Sequence, residues 1–325
     1  MSKPKIGLTR RWPVVVEQEL AARYEVLLNS EDTPLSADAI AQLLQNCDAI
    51  CPTVTDDLNA EVLAVRPIRA QLIANYGVGY NHIDIAAAST AGLRVTNTPD
   101  VLTDATADLT LALMLNLVRR TAEGERELRA NCWSGWRPTH LLGGDISGKR
   151  LGIIGFGRIG RAVARRAHFG FGMSIVFHTP SPPEMGVAEE FNAERCDSVE
   201  ALLAASDIVS LHCPGGAERS GMMNAARLSC MKPNSYLINT ARGDLIDEAA
   251  LVDALEHGPL AGAGLDVYAQ EPAIPAKLMA RDDVVLLPHL GSATRNTRIA
   301  MGRRALRNLD AHFAGERLPD LIELS

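Results

Sequence analysis

Three observations predict an α/β protein built of two doubly wound parallel-sheet domains. Short apolar runs alternate with helical patterns, the alternation stops once and restarts, and the second series opens on glycines spaced G-x-G-x-x-G. Strands separated by helices of this length pair in parallel through right-handed crossovers. At 325 residues the chain is long enough for two domains, and 47% hydrophobic with 22% charged residues can furnish a core for each.

In the first series, residues 5–10, 48–52, 70–77 and 93–99 read as strands. Residues 36–47 and 84–92 read as helices, the second closed by Gly92. The rhythm then changes. Residues 101–120 form a helical stretch that is apolar on nearly every face over its middle turns. Such a helix is buried between other elements, and it is expected to be the wall between the domains. Asp104 and Asp108 are placed where the helix dipole favours negative charge. An open connection, residues 131–150, follows.

The second series supplies candidate strands at 151–155, 174–178, 207–212, 235–239, 262–267 and 284–288. Six strands counted from one glycine fingerprint match a dinucleotide-binding sheet. The last helical pattern, 294–313, is expected to cross back to the first domain.

The bulk charge narrows the function. A net charge of -7 argues against nucleic acid, and the cluster Arg303, Arg304, Arg307 reads as a solvated helix face. The most apolar run, residues 109–118, is about half the length that crosses a bilayer. The amino terminus "MSKPKIGLTRRW" has no apolar signal region. Cysteines 47, 51, 132, 196, 213 and 230 form neither a C-x-x-C pair nor a Cys/His metal spacing. The expectation is reduced thiols in a cytoplasmic protein, with no metal, no membrane and no nucleic acid.

The fingerprint is "GFGRIG", Gly155 to Gly160. Gly155 would make the tight turn, Gly157 would admit a pyrophosphate, and Gly160 would let the helix pack close. Free N–H groups at the helix start face the phosphates, with Arg158 beside them. The second strand ends with Thr179 where an acid would select NAD, and no arginine stands at 180 or 181 to take a 2′-phosphate. The expected cofactor is NAD(P)H, with NADP permitted and not demanded.

Three further motifs fall at or beyond strand carboxyl ends. "LINTARGDLID" carries Arg242, whose planar fork suits a carboxylate and its neighbouring carbonyl. "AGLDVYAQEP" carries Asp266 and Glu271; "VVLLPHLGSAT" carries His289, ahead of Gly291 at a sharp turn. His289 could give a proton to a carbonyl oxygen, with Glu271 orienting its ring and favouring the charged form.

Over essentially its whole length the chain resembles the D-isomer-specific 2-hydroxyacid dehydrogenases. The matching segments are "NYGVGYNHID", "TPDVLTDATAD", "GFGRIG", "HCP", "INTARGDLID", "LDVYAQEP" and "PHLGSAT". Within that family it looks most like the glyoxylate/hydroxypyruvate reductases, through "TPDVLTDATADL" and "WRPTHLLGGD". The resemblance implies that Arg242, Glu271 and His289 are the catalytic trio. It implies that Val78 and Gly79 offer backbone N–H groups to the substrate carboxylate, with Arg242 and His289 also touching substrate. Cofactor contacts would come from Gly155, Gly157, Arg158, Ile159 and Gly160, from Thr179, and from Cys213 and Pro214 beside the adenine. Thr106, Thr240, Ala241, Asp266, His289 and Gly291 would line the nicotinamide end.

The same resemblance implies a flavodoxin-like substrate domain, residues 1–98 with 290–325, and a Rossmann domain, residues 99–289. An active-site cleft would lie between them, closing about hinges near Thr98 and Leu290. It implies a homodimer, with the apolar helix after Val101 as the contact. Residues 53–55 are expected to face the substrate from the first domain, and 136–141 to do so across the dimer. The rivals are a phosphoglycerate or D-lactate dehydrogenase, a formate dehydrogenase, which would carry glutamine where Glu271 stands, and an NADH-responsive corepressor on the same fold. One departure concerns "GGAERSGMMN", where relatives commonly read "TPETRHLIN". Arg219 there is expected to reach the adenosine 2′ side.

Overall fold

Alternation of side chains across each strand decides where the chain buries its apolar residues. The computed structural model describes residues 3–180, 186 and 188–323, and it divides into two compact units. One comprises the residues up to Leu102 with those from Ala293 on; the other runs from Thr103 to Ser292.

The first unit holds a parallel sheet of five strands: β1 (Lys5–Leu8), β2 (Glu25–Leu28), β3 (Ala49–Cys51), β4 (Leu72–Ala74) and β5 (Arg94–Thr96). Their order is β2-β1-β3-β4-β5. Successive residues supply opposite faces. Ile6, Leu8, Ala49, Cys51, Leu72 and Ala74 pack with Leu20, Met301 and Leu309, whereas Ile50, Ile73 and Val95 pack with Ile40 and Leu44. The first face is covered by the helices Val14–Arg23 and Arg295–Phe313, the second by Ala37–Asn46 and Ile85–Thr90. Ser36 and Asp84 start the latter two helices, each side chain accepting a backbone N–H from three residues on. The C-terminal helix docks where Gly302 meets Val16, and Tyr24 Oη donates to Asp310 at 2.7 Å.

The second unit holds a parallel sheet of seven: β6 (Arg150–Ile154), β7 (Ser174–His178), β8 (Glu194–Arg195), β9 (Ile208–Leu211), β10 (Ser235–Asn239), β11 (Leu260–Leu265) and β12 (Val284–Leu286). Their order is β12-β11-β10-β9-β6-β7-β8. The direction of winding reverses between β6 and β9, and at such a reversal the loops after the strands part and leave room for a ligand.

Two strands escape the sequence pattern. The edge strand β2 is largely exposed and so lacks an apolar alternation, and β8 is only two residues long. The strand expected at 262–267 lies instead at Leu260–Leu265, which leaves Asp266 one residue beyond it. The long helix is Thr103–Val118 and buries Thr106, Ala107, Leu111, Leu113, Met114, Leu117 and Val118. Its apolar faces pack inside its own unit, against the Arg158–Phe171 helix and the strands β10 to β12. Asp104 and Asp108 are engaged by Arg166, at 2.9 and 2.6 Å. Arg120, with φ 52°, ends that run, and the helix Thr121–Arg129 that follows buries no residue. No helix among the described residues is long and apolar enough to cross a membrane.

Candidate active site

β6 runs into Gly155, whose φ of 96° lies in the left-handed region. A side chain there would also meet Cys213 N and the His212 carbonyl carbon at 2.6 Å, so the turn is pressed against the end of β9. At Gly160 a Cβ would fall 2.3 Å from the Gly155 carbonyl oxygen, which lets the Arg158–Phe171 helix seat on the turn. Beside Gly157, by contrast, the space within 4 Å is open. The first intrahelical bond is Arg161 N to Gly157 O at 2.9 Å. The N–H groups of Arg158, Ile159 and Gly160 therefore precede the helix ladder, at its positive end. Phe156 stacks on Phe177 at 4.0 Å and holds the turn down. An open, glycine-lined helix start of this kind fits a pyrophosphate.

His212 lies beneath this turn, its Nε2 2.8 Å from Ser210 Oγ. Burial drives it down to about 3, so it is neutral. Cys213 follows, its thiol pushed up to about 11 by burial against the opposing pull of Arg219. Arg219 sits on the single turn Ala217–Arg219. That turn is tied down by Asp244, which accepts Gly216 N through Oδ2 at 2.7 Å and Gly221 N through its carbonyl at 2.8 Å. At the end of β7 the Thr179 carbonyl accepts from Arg195 Nη2 at 3.1 Å. Sequence reading missed this arginine, because only the pairing Phe177↔Arg195 of β7 with β8 brings it there. Ser181 lies outside the described residues.

The other end of the site is built on β10, β11 and β12. Asn239 ends β10; its side chain donates to the Arg242 carbonyl at 2.8 Å and accepts Ala241 N at 3.0 Å, curling the chain so that Arg242 follows the bend. Gly243 is so close to Tyr268 that a Cβ would sit 1.8 Å from the Tyr268 carbonyl carbon. The Arg242 turn is thereby packed on the segment that leads to Glu271. Burial lowers the Arg242 guanidinium from its ordinary value, with Asp244 and Glu271 acting the other way. It starts so high that it stays charged.

Glu271 Oε2 is 2.8 Å from His289 Nδ1, and Oε1 accepts Tyr268 N at 3.0 Å. Burial pushes the Glu271 carboxyl up, but the hydrogen bond and charge of His289, the Tyr268 N–H and Arg242 together hold it below the usual value. With a carboxylate on Nδ1, that nitrogen carries hydrogen and Nε2 is left for other work. Asp266 fixes the turn itself. Its carbonyl accepts His289 N at 2.9 Å, while Oδ1 and Oδ2 accept Leu290 N and Gly291 N at 2.6 and 2.7 Å. Burial raises the Asp266 carboxyl against these two N–H groups.

Thr106 Oγ1 donates to the Gly291 carbonyl at 3.1 Å, and Thr110 Oγ1 joins Thr240 Oγ1 at 2.9 Å. The structure thus brings Thr106, Thr240, Asp266, Glu271, His289 and Gly291 into one bonded neighbourhood. Val78 and Gly79 belong to the first unit, on the loop after β4. No group of three or more metal-ligating side chains occurs among the described residues.

The family described as D-isomer specific 2-hydroxyacid dehydrogenase, NAD binding domain, matches residues 111–291. A glyoxylate reductase of Thermococcus litoralis is 42% identical over 325 residues, 98% of this chain and 97% of that one. A glyoxylate reductase of Pyrococcus horikoshii is 41% identical over 324 residues, covering 98% and 96%. Among solved structures, the NADPH-dependent glyoxylate/hydroxypyruvate reductase of Sinorhizobium meliloti, in complex with NADP and malonate, superposes with a TM-score of 0.88. The identity there is 34%, over 99% of this chain and 97% of that one.

Proposed function

This chain belongs to the D-isomer-specific 2-hydroxyacid dehydrogenases, and from that premise we propose that it reduces glyoxylate and hydroxypyruvate with NAD(P)H. The products are the 2-hydroxy acids, of D configuration where the carbon is chiral. The observation that carries this reading is the His289–Glu271 pair at 2.8 Å, on a turn locked by Asp266, in the same unit as the open glycine turn.

Gly155, Gly157, Arg158, Ile159 and Gly160 would hold the dinucleotide, with Thr106, Thr240, Ala241 and Asp266 lining its nicotinamide end, and when bound it would supply a hydride. Arg242 grips the substrate carboxylate and polarises the adjacent carbonyl. His289 delivers the proton to the carbonyl oxygen from Nε2, while the Glu271 carboxylate on Nδ1 orients the ring. Val78 and Gly79 add backbone N–H donors to the carboxylate. In this reading the first unit serves the substrate and the second the nucleotide.

An assay of NADPH and NADH against glyoxylate, hydroxypyruvate, pyruvate and phenylpyruvate tests it. Steady consumption is expected with the first two acids. Turnover confined to phenylpyruvate, or absent throughout, would overturn the assignment.

Cofactor choice falls to Arg195 and Arg219 in this reading, since position 179 is threonine and carries no charge for either nucleotide. Arg195→Gln and Arg219→Ala should each lower kcat/KM for NADPH by about tenfold and leave NADH nearly unchanged, the loss of one charge-assisted contact to phosphate. A constant NADPH-to-NADH ratio in both variants sinks this assignment.

The protein is further read as a cytoplasmic homodimer. Six free cysteines suit a reducing compartment. The exposed Leu128, Trp133, Trp136 and Leu142, gathered on one stretch of the second unit, suit a partner surface.

A further inference from the structure

We infer that Asn75 and Asn97 are positioning residues, which aim the N–H groups of Val78 and Gly79 at the substrate carboxylate. The inference rests on the function proposed above and names the side chains that prepare this part of the site.

β4 ends at Ala74 and β5 at Thr96, and these two residues are register partners. Asn75 and Asn97 therefore leave neighbouring parallel strands at matched positions. From there the two amides hold three consecutive carbonyls of the loop. Asn75 Nδ2 donates to Gly77 O at 3.1 Å and to Gly79 O at 3.0 Å. Asn97 Nδ2 donates to Val78 O at 2.8 Å. Thr98 N adds a second bond to Gly77 O at 2.9 Å.

A trans peptide sets its carbonyl and its N–H on opposite edges of one plane. Holding the carbonyls of Gly77 and Val78 therefore fixes the directions of the N–H groups of Val78 and Gly79. Neither N–H meets an acceptor among the described residues, and both residues are only partly exposed. Backbone donors shielded from water in this way gain from an anion, and a carboxylate offers two acceptor oxygens.

The Asn75 amide cannot turn over. Both its hydrogens are spent on carbonyls, so its Oδ1 is an acceptor, and His82 Nε2 donates to it at 3.1 Å. Asn75 is wholly buried and its own N–H bonds Thr96 O at 3.0 Å. Neither asparagine needs to touch the substrate for this; each acts through the peptide it holds.

The test compares wild type with Asn97→Ala and Asn75→Asp, the latter keeping the shape but placing an oxygen against two carbonyls. Four quantities are measured: KM and kcat for glyoxylate, the Kd of NADPH, the Kd of oxalate with NADPH bound, and the melting midpoint. For Asn97→Ala, KM for glyoxylate and Kd for oxalate should rise about tenfold or more, as when a positioned hydrogen bond to a charged group is lost. The NADPH Kd should stay within about twofold, and kcat should change less than KM, the signature of lost ground-state binding.

A merely structural role would weaken NADPH and oxalate together, or lower the melting midpoint with no preference for carboxylate. Either result overturns the inference, as does unchanged oxalate binding in folded Asn97→Ala. Asn97 is partly exposed, so this variant decides the matter even where Asn75→Asp does not fold. If wild type neither reduces glyoxylate nor binds oxalate, the functional reading itself falls. If wild type does both and the variants match it, only the inference falls.

Discussion

His289→Gln should cut the reduction of glyoxylate by about a thousandfold, within the span that positioned proton transfer contributes, while NADPH binds as in wild type. Glutamine retains bulk and polarity just beyond β12, but its amide has no proton acidic enough to give. Glu271→Gln is the companion. Its carboxylate, held below the usual range, is ionised across the working pH and faces Nδ1 at 2.8 Å. Without that carboxylate on Nδ1 the ring loses the partner that orients it, and kcat for glyoxylate should fall by about tenfold or more, as when a hydrogen bond to a charged group is lost. Turnover by His289→Gln close to wild type, measured as NADPH consumption beside the NADPH Kd, would remove the proton-donor role.

Arg242→Lys should lower kcat/KM for the 2-oxo acid by about a hundredfold, chiefly through KM, the loss of a two-pronged charge-assisted pair. Two physical reasons converge. Lysine keeps the charge but cannot present two N–H groups in one plane. Burial, moreover, depresses the cation at this position. Arginine absorbs that depression because its ordinary value lies far above neutrality, whereas an ammonium begins nearer and loses its proton more easily. Steady-state kinetics over a range of pH checks both parts, and an unchanged KM rules out the clamp.

Much of this site is legible in the chain because its parts occupy strand ends. Arg242, Asp266 and His289 follow buried apolar runs, and the turn geometry at Gly155 needs a residue without Cβ. Pairs that bond across the fold leave a weaker trace. Arg195 is an ordinary charged residue in a two-residue strand, and only the sheet brings it to Thr179. Asp244 reads as part of the Arg242 motif, yet its carboxylate serves the turn at Gly216, 28 residues away. Asn75 opens one motif and Asn97 stands just before another, and their partnership exists only in the register of β4 with β5. The strand β2 was unreadable for the converse reason: an exposed edge needs no apolar pattern. The apolar helix after Val101 was readable as buried, but the pattern of one helix does not say against what.

His289 has a φ of 54°, a left-handed conformation that costs a residue with a Cβ about 1–2 kcal/mol. The three hydrogen bonds of Asp266 hold it there. Selection for stability alone would relax this turn by placing glycine or asparagine at 289, and selection for chemistry opposes it. Asp266 is under no such conflict, because the N–H groups that bind its carboxylate belong to the backbone of Leu290 and Gly291 and persist whatever side chain stands at 289.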